Sequence, residues 1–284
     1  MDFYSSKGKL PATGQKLGTI PRIVAFYDPE IDGTDIRGRS HQEILQWSDD
    51  KLEHCHDFIQ WLFPLPEGSV FNFSAPVINK EVLEAFRRNS AMQKRLRASF
   101  MRMLQFYGFT VSIAPESDGK AGKAGEVDES KNSNQAGAPS HENVEAPAKP
   151  APAINASLLS DLTPLSLGSL LPRDYRIIRG KNWKQAHRNW ARIMNHNHLR
   201  ITRILRSLRV LGLQDECNAF YIALKETFDD PKIQIGPKSL MFWTRAVEQP
   251  LCIAPDGEKV NWLKEWEENK GITSTEANKA NEEV

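Results

Sequence analysis

The sequence predicts an all-α fold: a single multi-helix domain built from two helical halves joined by a long disordered insertion. Three observations carry this expectation. Apolar residues recur at helical spacing behind recognisable capping residues on both sides of the chain's middle. Between Pro115 and Ala153 there is no aromatic residue, Val127 and Val144 are the only branched aliphatics, and Gly, Pro, Ala, Ser and Glu fill the rest. Such a segment buries too little apolar surface to offset its ordering entropy. Finally, the one strand-like stretch, "VFNF" from Val70 to Phe73, has nothing nearby that alternates to pair with it. The expected organisation is a disordered N-terminal segment at 1–21, a first helical half at 22–114, a linker at 115–169, a second half at 170–268 and a loose tail at 269–284.

In chain order, Ser40 followed by Glu43 forms a capping box for a short helix through Trp47. Ser48 caps "DDKLEHCHDFIQWLF", where Leu52, Cys55, Ile59 and Leu62 share one face and Pro64 ends the run. Asn79 caps "KEVLEAF", and Ser90 caps "AMQKRLRASFMRMLQFY", with Gly108 placed as the stop. Beyond the linker, "KNWKQAHRNWARI", "NHLRITRILRSLRVL" before Gly212, "DECNAFYIALKETF", "PKSLMFWTRAVE" and "EKVNWLKEWEE" read as helices. The linker's "GKAGKAG" lacks the spacing and the flanking strand and helix of a phosphate loop.

Bulk properties bound the function classes. With 284 residues and 40% hydrophobic content the chain can fill a core, and a net charge of +1 singles out no charge-driven partner. Cys55, Cys217 and Cys252 are too few and scattered for a disulfide framework and read as reduced thiols of an intracellular protein, in cytoplasm or nucleus. The N-terminus has no apolar signal region. No window approaches the roughly 18 apolar residues of a membrane span, so any membrane association is expected to be peripheral. No acid–base constellation or activated serine is present, which points away from an enzyme; no cofactor is expected.

The densest signal is "NHNHLRITRILRSLRVLGL", Asn195 to Leu213. On a helical wheel Ile201, Ile204, Leu205, Leu208 and Leu211 fall within an arc of about 120°, and Arg200, Arg203, Arg206 and Arg209 occupy the remainder. The plain reading is a solvated face with snorkelling stems. The surroundings complicate it, because charge is segregated along the chain. Leu171 to Leu213 holds eleven Lys or Arg against Asp174 alone, whereas Asp28 to Asp57 holds nine acids against three bases. Two outcomes fit: the acidic segment folds onto the basic helices, or a basic surface stays open to an anionic partner such as nucleic acid or an acidic protein. Arg97, Arg102, Arg188, Arg192, Arg203 and Arg206 would carry the second. No recognised nucleic-acid motif supports sequence readout.

"HCH" at His54 to His56 and "HNH" at His196 to His198 look like paired metal ligands. Residues two apart on a helix point away from one another, so neither pair grips one ion. A composite of His56 and His196 is geometrically allowed, but no ligand spacing supports it and no metal is expected. Cys55 reads as a small core residue rather than a nucleophile. Trp183 and Trp190, two turns apart on one face, read as core, or as a peptide groove.

Two stretches carry a resemblance. "LEHCHDFIQWLFPLPEGS" and "HNHLRITRILRSLRVLGL" are similar to the two signature blocks of the opioid growth factor receptor conserved region, with "FYDPE", "LRASFMRMLQFYGF" and "FWTRAV" in the expected order around them. The resemblance runs from Ile23 to Phe109 and from Asn182 to Glu248. It implies one all-helical unit with the linker as an insertion, and an opioid receptor activity unrelated to seven-span receptors. In animals the family is associated with Met-enkephalin binding, restraint of proliferation, and membrane or nuclear-envelope association. The linker here is long, and the chain ends in "STEANKANEEV" without the repeat-bearing extension of some animal members. The resulting expectation is a non-enzymatic peptide- or protein-binding module, with His56, Trp61, His196, Arg200 and Arg203 as contact residues because they lie in the signature blocks.

Overall fold

In the computed structural model, residues 20–69, 72–113 and 175–269 are described. The expected linker, most of both expected loose ends, and half of "VFNF" lie outside them.

The first half opens with α1 (Arg22–Tyr27), which buries Ile23, Phe26 and Tyr27. This helix was not anticipated from the sequence. α2 (His41–Leu45) and α3 (Asp49–His54) start where the caps place them: Ser40 Oγ accepts from the Glu43 N–H and Ser48 Oγ from the Lys51 N–H. The continuous helix expected from Ser48 to Phe63 is instead broken. Cys55 is extended, and the chain re-enters a short helix, α4 (Ile59–Leu62). Cys55 is half-buried and packs against the apolar core, while its thiol donates to Asp57 Oδ1 at 3.0 Å. Asp57 also takes Arg37 and Arg39, so one carboxylate anchors the break.

α5 (Lys80–Arg88) is capped by Asn79 as expected, whereas α6 (Ser90–Tyr107) is capped by Asn89, whose Oδ1 accepts from Ala91 and Met92, with Ser90 its first residue. Gly108 ends α6 at φ 88°. A Cβ there would also lie 2.9 Å from Ala186 Cβ and 3.0 Å from Trp183 Cα, so both conformation and close approach require glycine.

The all-α expectation needs one amendment: the fold is mostly helical, with one small sheet. Strand β1 (Phe109–Ile113) pairs antiparallel with β2 (Tyr175–Arg179), in register from Phe109↔Arg179 to Ile113↔Tyr175. Alternation in "FTVSI" and "YRIIR" turns Phe109 and Ile177 inward, both buried. The partners flank the linker, which is why neither looks paired when neighbours in sequence are searched.

The second half continues with α7 (Trp183–Trp190), α8 (Asn197–Val210), α9 (Gln214–Phe228) and α10 (Pro237–Glu248), then a last helix, α11, over 261–269. Helix α8 packs against α9 and α10, and α6 against α1, α2, α5, α7 and β1. One apolar cluster takes residues from both halves. Polar ties cross between them: Arg87 Nη2 donates to the Val210 carbonyl at 2.8 Å and Trp190 Nε1 to the Tyr107 carbonyl at 3.0 Å.

Candidate functional site

The apolar stripe of α8 is core, as its periodicity predicts: Ile201, Ile204, Leu205, Leu208 and Leu211 are all 0% exposed. Its arginines are not a solvated remainder. The segment from Glu53 to Glu67 wraps across them as an irregular strap, and irregular backbone leaves carbonyls without ladder partners. Arg200 Nη2 donates to the carbonyls of Glu53 (3.1 Å) and Cys55 (2.8 Å), freed where α3 breaks. Its guanidinium also lies over the Phe58 ring. Arg203 Nε donates to the Phe63 carbonyl at 2.8 Å, and burial pushes this guanidinium down to about 10. Ser207 Oγ takes the Pro64 carbonyl at 2.9 Å, and Arg206 Nε meets Glu67 Oε1 at 3.1 Å. Arg209 turns to the carbonyls of Ala246 and Gln249 at the end of α10. Each of the four supplies donors that a carbonyl or carboxylate at that place needs.

Most of the arginines are thus covered, but not chiefly by the carboxylates of Asp28 to Asp57, which reach one of the six, Arg102, through Asp49; the others meet backbone carbonyls, Glu67 or Glu216, or stay exposed. Arg102, buried, donates to the Leu45 and Trp47 carbonyls and pairs with Asp49. Arg97 pairs with Glu216. Of the six arginines assigned to an open basic face, Arg97, Arg102, Arg203 and Arg206 are engaged in this way, and only Arg188 and Arg192 are exposed. The six therefore do not form one open basic face.

The five signature-block residues divide in two. Trp61 is 2% exposed and edge-on to Phe26, and Arg200 is 5% exposed. Arg200 and Arg203 lie behind the strap, and Trp61 is the strap's own inward-facing ring. His56 and His196 are exposed, with ring centroids 5.3 Å apart. His196 Nε2 sits 3.4 Å from Glu53 Oε1. Burial, the Arg200 charge, His56 and Arg192 hold the His196 ring below its ordinary value against the pull of Glu53, so near neutral pH it is the neutral imidazole.

The turn joining α7 to α8 frames this pair. Asn195 Nδ2 donates to the Asn189 carbonyl and its Oδ1 accepts from the Asn197 N–H. Met194 stands at φ 57° and is 93% exposed, and Leu199, on the first turn of α8, is 58% exposed. Sequence reasoning missed both. The available signal was an apolar pair, Ile193 and Met194, in a turn between two helices, where burial has no periodic face to report on.

The remaining candidates have structural places. His198 donates from Nε2 to the Trp190 carbonyl, so Nδ1 accepts from Ser239 Oγ, at 2.8 and 2.7 Å. Trp183 and Trp190 pack edge to face in the core, centroids 6.1 Å apart. Among the described residues no group of three or more His, Cys, Asp or Glu is arranged to hold a metal ion.

Comparison with known proteins decides the kinship. The family model described as the opioid growth factor receptor conserved region matches residues 23–142 and 172–250. The chain belongs to this family. It is 43% identical over 89 residues to the rat opioid growth factor receptor, covering 30% of this chain and 15% of that protein. To the human opioid growth factor receptor it is 29% identical over 200 residues, covering 69% of this chain and 20% of that protein. To opioid growth factor receptor-like protein 1 of Xenopus tropicalis it is 33% identical over 120 residues, 39% and 22% of the two chains. The chain thus matches about a fifth or less of the length of these relatives. No solved structure matches. Among the described residues no helix is long and apolar enough to cross a membrane.

Proposed function

We propose that this family member is a non-enzymatic peptide-binding module whose contact surface is the junction of the two signature blocks. One observation carries the reading: the outward side chains of the two blocks, His56 and His196, meet ring to ring beside exposed Met194 and Leu199. The neutral His196 imidazole presents one donor and one acceptor, His56 adds a second exposed ring, and the two apolar side chains supply the contact area a short peptide needs. Arg200, Arg203 and Trp61 act from behind. The two arginines hold the strap carbonyls on either side of His56, and Trp61 packs the strap onto α1, so these three position the junction and the histidines touch the ligand.

Relatives in this family carry the name opioid growth factor receptor, and the ligand proposed here is the opioid pentapeptide Tyr-Gly-Gly-Phe-Met. Peripheral membrane and nuclear association, which the resemblance implies, belong to the same proposal. Calorimetric titration of the full chain with that peptide at low and high salt tests it. Saturable heat that barely changes with salt, and is lost in His56→Ala/His196→Ala at unchanged melting temperature, supports the reading, because the peptide carries no charged side chain. Absence of heat, or heat unchanged in the double variant, defeats it.

A further inference from the structure

Helix α7 differs from α8 in how its cations are used. The arginines of α8 are consumed by carbonyls and a carboxylate. On the outer side of α7, Lys184 and Arg188 stand one helical turn apart, and Arg192 lies just beyond the helix, in the turn to α8. Lys181 precedes them, and Arg176 lies on the outer side of β2; all five are exposed. The ion pair this region holds is Arg179–Asp230, Glu53 faces the neutral His196 ring, and among the described residues none of the five has a carboxylate partner. From Tyr175 to Leu213 the sequence contains no acid to supply one.

This stripe is not purely charged. Ile178, on the same side of β2 as Arg176, is 45% exposed, and Ile193, next to Arg192, is 58% exposed. Ile193 thus sets an exposed apolar side chain at the C-terminal end of the cationic run. The inner side of α7 offers nothing to a nucleic acid base: Trp190 is buried, and the Trp183 ring is stacked on His187 (5.2 Å, 14°) and covered by the Arg179 guanidinium. Single-strand binding surfaces need free rings for stacking, and duplex binding draws its affinity from many phosphate contacts. Helix α7, at eight residues, is only about 12 Å long. A short run of carboxylates accompanied by apolar side chains matches its length, its charge and the apolar Ile193 at its end.

We propose that the outer face of α7, with the turn that follows it, docks an acidic segment of a protein partner in which apolar residues accompany the carboxylates. Lys184, Arg188 and Arg192 meet the carboxylates, and Ile193 takes an apolar side chain. These residues are not those assigned to the opioid peptide, so each proposal fails or stands without the other.

The test uses the full chain and the fluorescently labelled peptide Asp-Leu-Glu-Asp-Phe-Glu-Ile-Asp, followed by anisotropy at low and high salt. Binding is expected to weaken with salt. It should fall at least about tenfold in Lys184→Gln/Arg188→Gln/Arg192→Gln and also fall in Ile193→Ser, at unchanged melting temperature. Should the triple variant melt early, Lys184→Gln alone must shift affinity in the same direction. The same peptide with serine in place of Leu, Phe and Ile must bind more weakly. Equal binding of that peptide, or tighter binding of random duplex DNA or phosphatidylserine vesicles, overturns the partner class. Unchanged affinity in the variants, or no binding of the acidic–apolar peptide, overturns the site.

Discussion

Arg206 and Glu67 form an ion pair inside the protein: Nε lies 3.1 Å from Oε1, with the two side chains 1% and 7% exposed. It joins the end of the strap to the middle of α8, so the second signature block clamps the first. Removing one partner leaves a buried charge uncompensated, which costs more than the pair itself contributes. Arg206→Ala is therefore expected to lower unfolding free energy by about 3–5 kcal/mol in urea titration. The double variant Arg206→Met/Glu67→Leu should recover much of that loss. A loss under about 1 kcal/mol in Arg206→Ala would mean water reaches Glu67 in the folded state.

Acid should destabilise the protein through His41. Its ring is buried against Phe26 and Tyr27, with Nε2 on Ser99 Oγ at 2.8 Å. Burial, and then the charge of Arg95, push it from 6.5 down to about 3 in the folded state, with Asp32 opposing. The unfolded chain takes up this proton near the ordinary value and the folded chain does not. Stability is thus fully present above pH 6.5 and is lost as pH falls toward about 3, at a limiting slope of about 1.4 kcal/mol per pH unit from this group. His41→Gln should flatten the stability–pH curve in that window relative to the parent protein. Parallel curves would show that the ring is already solvated when folded.

Gly108→Ala should be among the costliest single-methyl additions. The left-handed backbone alone costs a residue with a Cβ about 1–2 kcal/mol. The added carbon must also displace Ala186 or the Trp183 backbone, at 2.9 and 3.0 Å. A drop in melting temperature of more than about 4 °C is expected. Gly38→Ala, at φ 78° but with open space around it, isolates the conformational part and should fall less.

How much of this was legible follows from the range of the interactions. The caps Ser40, Ser48 and Asn79, the stop at Gly108 and the apolar stripe of α8 are set by contacts within a few residues, and periodicity exposes them. The β1–β2 pair was not legible because each strand's partner lies across the linker, where no local pattern points. The break at Cys55 was hidden for a related reason. Leu52, Ile59 and Leu62 keep helical spacing through it, while the groups that stabilise the break, Arg200 and Arg39, come from elsewhere in the chain.

The same distinction divides the candidate site. By itself the sequence determined that His56, His196 and the arginines of α8 sit in two long family blocks, and that acidic and basic stretches are segregated. Only the tertiary structure decided which charges face water. A wheel places Arg200, Arg203, Arg206 and Arg209 opposite a core face, but whether that side is wet depends on what wraps it. Here an irregular strap does, because its unpaired carbonyls need the donors that arginine provides. On α7, where nothing among the described residues wraps the outer side, Lys184 and Arg188 remain in solvent.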